Sequence, residues 1–533
     1  GTMTDVVDDF LAHRARWRPV DATFMGAAGD DDRLPPTGPD AASAERDEVA
    51  ALLRRAEADS ALDPTERQML IGELRVEDAA LSARPRHRNP AWHTGEAGFG
   101  IISLLLPHNG PWRTDAVAER LSAIPDFLAA GRAAIGDAPV PVGWRRRAQA
   151  EARVIAAFLR DDLRLHEAWV EAWAAPAERA AAAMTAHTAA LDPLPDADPA
   201  CGAAHLDLIM REQHRLDIGP DEAVALAQDA LDRTARELTE MARRIDPDRS
   251  ATDQIAALSA IHPADETEVL ATLRDLDARA LDAGRDLVTP ATEYGLSYRF
   301  FPDWARNVSK ALYFLFYRSP PAHAPGDSSI YWVHRQGDDR AAYLAAHNVA
   351  TLKIVHAVHH GSVGHHTQNA RASVAPGRLG RVAGTDCAMG IAMLGAGTLV
   401  EGWACHAADM MMEAEGFYTP AERLMLKHAE RRNAASVLVD VNLHTGAWSP
   451  AEAARFYADE AGMARAHAEA EVVRNSMFPG SRLMYWLGVE GIRQMRRRWS
   501  GSTRDFHDRV IAQGHVPLGL VARDMAAEGG LAR

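Results

Sequence analysis

Thr351–Ala370 reads TLKIVHAVHHGSVGHHTQNA and holds His356, His359, His360, His365 and His366. On a helix, His356, His359 and His360 stand at i, i+3 and i+4 and share one face. Gly361 and Gly364 then loosen or break that helix. The break matters, because on a straight helix His359 and His365 lie about 9 Å apart by rise alone, too far to share one ion. A kink at Gly361–Gly364 brings them together. A solvated polar face would spell the same letters. A buried imidazole cluster with neither metal nor carboxylate would, however, leave ring nitrogens unsatisfied, and neutral imidazole is a common metal ligand.

The surrounding chain is helical in pattern. Helical spacing runs through Val117–Ala134, Val142–Ala174, Pro220–Arg244 and Glu266–Gly284 before this stretch. Ala341–His360 covers it, and Met389–Glu415, Pro420–Val437, Pro450–Asn475 and Ser481–Trp499 follow. One short strand is expected at Ser328–His334, within a small β element near residues 290–335. Met25–Pro39, rich in Asp, Gly and Pro, reads as a loop. The expected division is a tail and flexible linker over 1–42, an N-terminal helical region over 43–290 and a C-terminal catalytic helical region over 291–533.

Composition narrows the function. The 533 residues carry 58 Lys+Arg against 74 Asp+Glu, a net charge of −16, which makes a nucleic-acid partner a poor expectation. The three cysteines, Cys201, Cys387 and Cys405, form no disulfide framework and fit a reducing compartment. Gly1–Pro19 carries Asp5, Asp8 and Asp9 and no apolar stretch, and the uncharged run Cys387–Val400 is too short to span a bilayer. The expectation is a cytoplasmic protein with no membrane partner. No pattern specifies an oligomeric state.

A carboxylate stands downstream in Thr398-Leu399-Val400-Glu401-Gly402-Trp403. An apolar helix that presents Glu401 buries a charge, which is costly unless a cation meets it. The motifs Gly-x-Ser-x-Gly, GxGxxG after a strand and GxxxxGK[ST] do not occur. Arg496–Arg498 reads as a solvated helix end, and His507 as a structural hydrogen-bonding group.

The run His359-His360-Gly361-Ser362-Val363-Gly364-His365-His366-Thr367-Gln368 resembles the HExxPGHHxxQ signature of the bacterial domain of unknown function 885 family. Glu401-Gly402-Trp403-Ala404 is similar to that family's EGWA. Pro479-Gly480 with Leu483-Met484-Tyr485 and Gly488 is similar to its PGQxLxYxxG. Phe506-His507-Asp508 with Gly514-His515-Val516-Pro517-Leu518 is similar to its FHDxxLxxGxxPL, and Arg120-Leu121 with Ile124-Pro125 to its RLxxIPxYL. The resemblance covers roughly residues 45–525, with motifs in the family's order. It implies a mainly α, large helical zincin-like architecture of the carboxypeptidase Taq type with a small β element. The chain departs from the pattern at His360, where the family has Glu, at Val363 for Pro, at Ser481 for Gln, and at Cys405-His406 for Leu-Tyr.

The resemblance implies His359, His365 and Glu401 as ligands of one divalent metal, zinc first, with iron or manganese as alternatives. Two His and one carboxylate leave a position for water, whose pKa a Zn²⁺ ion lowers to about 7. His360 would then take the water proton, and Tyr485 would donate to a developing oxyanion. His366 and Gln368 would orient ligands from outside, with His356 and His406 as further imidazoles near the site. The same set describes a non-haem iron facial triad, and the extra imidazoles could build a second metal site.

Three functions follow. The first is a hydrolase of an amide or peptide-like bond in a small-molecule or short peptide-like substrate. The second is a repurposed metalloenzyme performing lyase, rearrangement or redox chemistry in specialised metabolism. The third is a non-catalytic binding protein on a decayed peptidase scaffold.

Overall fold

Helix starts are written where a capping side chain precedes proline, whose fixed φ and missing N–H suit the first helical position. Asp63 accepts from Glu66 N–H ahead of Pro64–Ala83, and Asn89 from Ala91 N–H ahead of Pro90–Leu105. Thr419 and Ser449 form reciprocal capping boxes with Glu422 and Glu452, opening Pro420–His444 and Pro450–Ala461. The computed structural model describes residues 4–312 and 317–533. It is mainly α, with one three-stranded sheet.

The long periodic stretches fold as helices, with interruptions that periodicity does not mark. Val142–Ala174 is helical only to Ala157, passes through a π turn at Phe158–Asp162 and resumes at Ala174. Pro450–Asn475 is two helices separated at Gly462, whose φ of +63° favours glycine. Met389–Glu415 becomes helical at a 3₁₀ turn, Leu394–Ala396, that leads into Gly397–Met410 and closes in a second 3₁₀ turn at Met411–Glu413, and Asp386 and Ile391 form a β-bridge ahead of it.

The division expected from the sequence is corrected at both boundaries. Of the expected tail and linker over 1–42, the described residues from 4 onward are packed: Val6–Trp17 and Pro19–Phe24 are helices burying Val6, Val7, Phe10, Trp17 and Val20. The boundary near residue 290 does not divide the core. One apolar cluster joins Val7, Leu70 and Leu74 to Leu399, Trp403 and Val521.

The sheet positions the histidine stretch. β1 (Gly295–Phe300) pairs parallel with β3 (Ser328–Val333), and β2 (Tyr317–Arg318) pairs antiparallel with β3, giving the order β1-β3-β2. Tyr298, Tyr317 and Tyr331, one from each strand, join an apolar cluster with Leu273 and Leu276 of the helix Glu266–Ala283 and with Leu352 and Ala357. The tyrosine side of the sheet is thus the bed on which the histidine segment lies.

Candidate metal centre

Leu352–His360 is a π-helix, closed i→i+5 and therefore wider than an α-helix. It ends at Gly361, and a new helix, His365–Ser373, starts after Gly364. Close approach demands glycine at position 364. A Cβ there would overlap the carbonyl oxygens of Val358 and His359. Two side chains from distant elements grip the break. Asp277 Oδ1 accepts from Ser362 N–H at 3.1 Å and from Tyr298 O–H at 2.9 Å. Trp403 Nε1–H donates to the carbonyls of Val363 (3.0 Å) and Gly364 (3.2 Å).

The kink folds His365 back onto His359. Their ring centroids are 5.0 Å apart, and His360 lies 4.7 Å from His359 and 5.6 Å from His365. One nitrogen from each of the three rings can be chosen so that all lie within 4.8 Å of one another. Glu401, on Gly397–Met410, completes the group: its Oε2 lies 3.8 Å from His359 Nε2 and 3.6 Å from His365 Nε2. That helix approaches Leu483–Arg498 through Gly402 on Gly488, where a Cβ on Gly402 would sit 2.8 Å from the Gly488 backbone. The approach brings Tyr485 beside Glu401.

Burial and neighbouring charge set the protonation states. Burial, followed by the nearby imidazoles, drives His359 well below the usual histidine range. His360 falls to about 4 from burial and from His365, and its Nδ1 is hydrogen-bonded to the Val355 carbonyl at 2.9 Å, which leaves Nε2 with the lone pair. Burial also depresses His365, but the Glu401 charge and the hydrogen bonds that the ring donates to Glu401 and Gln368 outweigh it and raise the group. Burial raises Glu401, yet His365, His360 and Arg482 hold its carboxyl below the usual range. Burial, then the Glu401 charge, pushes the Tyr485 phenol up, so it stays a hydrogen-bond donor at neutral pH.

The other expected residues are distributed around this core. Gln368 Oε1 lies 3.0 Å from His365 Nδ1, and its amide nitrogen lies 2.5 Å from His515 Nε2. His515 in turn accepts from Gly384 N–H through Nδ1 at 3.0 Å. His366 turns to the sheet, with Nδ1 3.3 Å from both the Tyr317 hydroxyl and Ser329 Oγ. His356 bonds the Tyr331 hydroxyl. His406 lies on another face of its helix, with Nε2 2.7 Å from His507 Nε2, and is not brought to the cluster. His507 Nδ1 donates to Leu287 O at 2.7 Å, the structural role expected of it. Sequence reasoning did not single out Asp277, Trp403 and His515 as site residues. Trp403 and His515 lie inside the quoted motifs, whereas nothing near Asp277 in the sequence marks it.

Two cavities meet at the cluster. One, of about 590 Å³, is lined by His359, His360, Glu401, Tyr485 and several arginines. The other, of about 380 Å³, shares His359, His360, Glu471, Arg482 and Tyr485 and adds Cys405.

A family model described as a bacterial protein of unknown function (DUF885) matches residues 19–525. The chain belongs to this family. No curated protein matches it. Among solved structures, it is similar to a candidate lipoprotein of unknown function from Shewanella oneidensis, at 17% identity and a TM-score of 0.77 over 98% of this chain and 99% of that one. It is also similar to a candidate lipoprotein from Colwellia psychrerythraea, at 16% identity and a TM-score of 0.76 over 98% of each chain. These likenesses establish a shared fold. They also correct the expected cytoplasmic location. Lipoproteins are held at the cell envelope, and the cysteine count and acidic N-terminal stretch that suggested the cytosol do not distinguish the two places. No helix among the described residues is long and apolar enough to cross a membrane.

Proposed function

We propose that the chain is a metal-dependent hydrolase of an amide or peptide-like bond in a small substrate, with His359, His365 and Glu401 as the ligands of one divalent ion. The observation that carries this is the convergence of two Nε2 atoms, at 3.8 and 3.6 Å, on one Glu401 oxygen at a cavity wall. The donor set fits such an ion: His359 is neutral at pH 7, Glu401 is ionised, and a cation would displace the proton that Glu401 draws to His365. The zincin-like resemblance favours zinc, with iron or manganese as alternatives. An ion held there supplies an acidified water and polarises a carbonyl. Tyr485 donates to the oxygen on which charge develops. Gln368 and His515 fix the His365 ring from behind, as groups outside the ligand shell commonly do. The cavity, at about 590 Å³, suits a small molecule or short peptide.

His360 supports a second reading, a metalloenzyme performing lyase, rearrangement or redox chemistry. It stands where the family signature has the general-base Glu, and it lies within ligand distance of His359 and His365. With its pKa near 4, its imidazole is a weak base at neutral pH and a good neutral ligand.

Elemental analysis of the purified protein beside His359→Ala and Glu401→Ala tests the site. About one zinc per chain, absent from both variants, with turnover on amide substrates, supports the hydrolase. Iron, manganese or two ions per chain supports the second reading. No metal after reconstitution overturns both. His360→Glu separates the two: gain of amide hydrolysis marks a converted peptidase, and loss of native activity alone marks a need for the imidazole.

A further inference from the structure

The larger cavity has a wall that the metal reading does not use. The first helices supply it: Arg14 and Asp21, Glu73 and Glu77 of Pro64–Ala83, and Glu96 of Pro90–Leu105. Most of the charges there are matched. Arg14 faces Asp21 at 3.7 Å, and Arg18 faces Glu77 at 3.6 Å. Arg86 holds Glu45 through both terminal nitrogens, at 2.8 and 2.7 Å. Two carboxyls of the wall have no ion pair among the described residues. Glu73 accepts from Gln213 Nε2–H and Gly395 N–H, each at 3.1 Å. Glu96 is 2% exposed, and its Oε2 and Trp92 Nε1 are both buried without a hydrogen-bond partner. Burial, then the Asp21 charge, pushes the Glu96 carboxyl up to about 8, against the charges of Arg18 and Arg86 and the polar edge of the Trp92 indole. Burial also pushes Glu73 up to about 7. The two acids are thus held largely neutral, and a cation brought to them would ionise them. A buried carboxyl oxygen that finds no partner in its own chain calls for one from outside it. An inorganic cation such as Ca²⁺ needs about six oxygen ligands or more, which this wall does not gather. A primary ammonium is a compact point charge with three donors and needs only one or two carboxyls.

We propose that Glu96, with Glu73 in support, forms an ammonium subsite in the cavity of the metal centre, so that the substrate carries a primary amine at a distance from the bond that reacts. This rests on the cavity being the substrate site of the proposed enzyme. The chief charges acting on Glu96 are those of Asp21, Arg18 and Arg86, whereas those acting on Glu401 are His365, His360 and Arg482, so the two carboxyls stand in separate parts of one cavity.

The test is calorimetric titration of the as-purified protein at pH 7 with n-butylammonium chloride and, separately, with n-butanol, its uncharged counterpart. The expected result is saturable binding of butylammonium, about 10-fold or more tighter than butanol and weakened about 10-fold or more in Glu96→Gln, with metal content unchanged. That variant keeps the shape of the side chain and loses the charge. Binding should also release protons from the protein, up to about one per ligand, seen as a heat that changes with the ionisation enthalpy of the buffer. This readout needs no variant and stands in if Glu96→Gln does not fold. No saturable binding, no proton release, equal binding by wild type and Glu96→Gln, or butanol bound as tightly as butylammonium overturns the proposal. Glu401→Ala separates this from the metal reading: butylammonium binding should persist there without metal. Metal and amide turnover without butylammonium binding would remove the subsite and leave the hydrolase standing.

Discussion

Glu401 and His406 lie on one helix, five residues apart, and each meets buried imidazoles, with opposite outcomes. On the Glu401 side, His359, His360 and His365 direct nitrogens toward one another and toward a carboxylate, at the meeting point of two cavities. On the His406 side, His507 has given its Nδ1–H to Leu287 O, so its Nε2 can only accept, and His406 donates to it. Burial pushes both rings down, helped by the His507 ring at His406 and by Arg496 at His507, and no carboxylate bonds either. The His507 lone pair is taken by His406, while His406 Nδ1 is buried without a hydrogen-bond partner. Histidine enrichment therefore says little alone. A ligand set is distinguished by lone pairs left over and by negative charge placed to meet a cation.

The largest effect should come from the ligands. His359→Ala or Glu401→Ala should abolish stoichiometric metal, whereas His406→Ala should leave it intact; equal loss in all three, by elemental analysis, would erase the contrast. Gln368→Ala comes next. Freeing the His365 ring should weaken metal binding about 10–100-fold, read by competition with a chelator.

The kink should respond to pH. Burial raises Asp277 to about 6 from 3.8. Between about pH 4 and 6 the unfolded chain loses this proton first, so stability falls as pH rises, by about 3 kcal/mol for a shift of roughly two units. Asp277→Asn keeps an acceptor for Ser362 and Tyr298 and should reduce the fall in stability across pH 4 to 6 in denaturant melts by Asp277's share, leaving that of other buried carboxyls such as Glu73 and Asp409 in place. An unchanged slope would mean that Asp277 is not the source. The smallest effect belongs to the closed pair: His507→Phe should cost about 1–3 kcal/mol by leaving His406 without an acceptor, with metal content unchanged.

Much of this was legible. Helical periodicity and proline-led caps gave the helices, and the β-branched and aromatic run at Ser328 gave the central strand. The spacing of His359, Gly361, Gly364 and His365 showed that only a break could join the two imidazoles. Other features were hidden because they depend on contacts between residues far apart in sequence. Asp277 sits 85 residues before Ser362, and its grip appears only once helix and kink are packed. Helical spacing placed His356 on the face of His359, but the π-helix widens the turn and Tyr331 takes His356 instead. Sequence also placed His406 with Glu401, because adjacency along the chain ignores which side of a helix a residue occupies.

The sequence by itself determined the helices, the break and the residue types able to hold a cation, because capping, periodicity and glycine's close approach are local properties. Tertiary structure alone decided which imidazoles meet Glu401, which pair with each other, and that arginines line the cavity beside them, because lone-pair direction and charge compensation exist only between elements already packed.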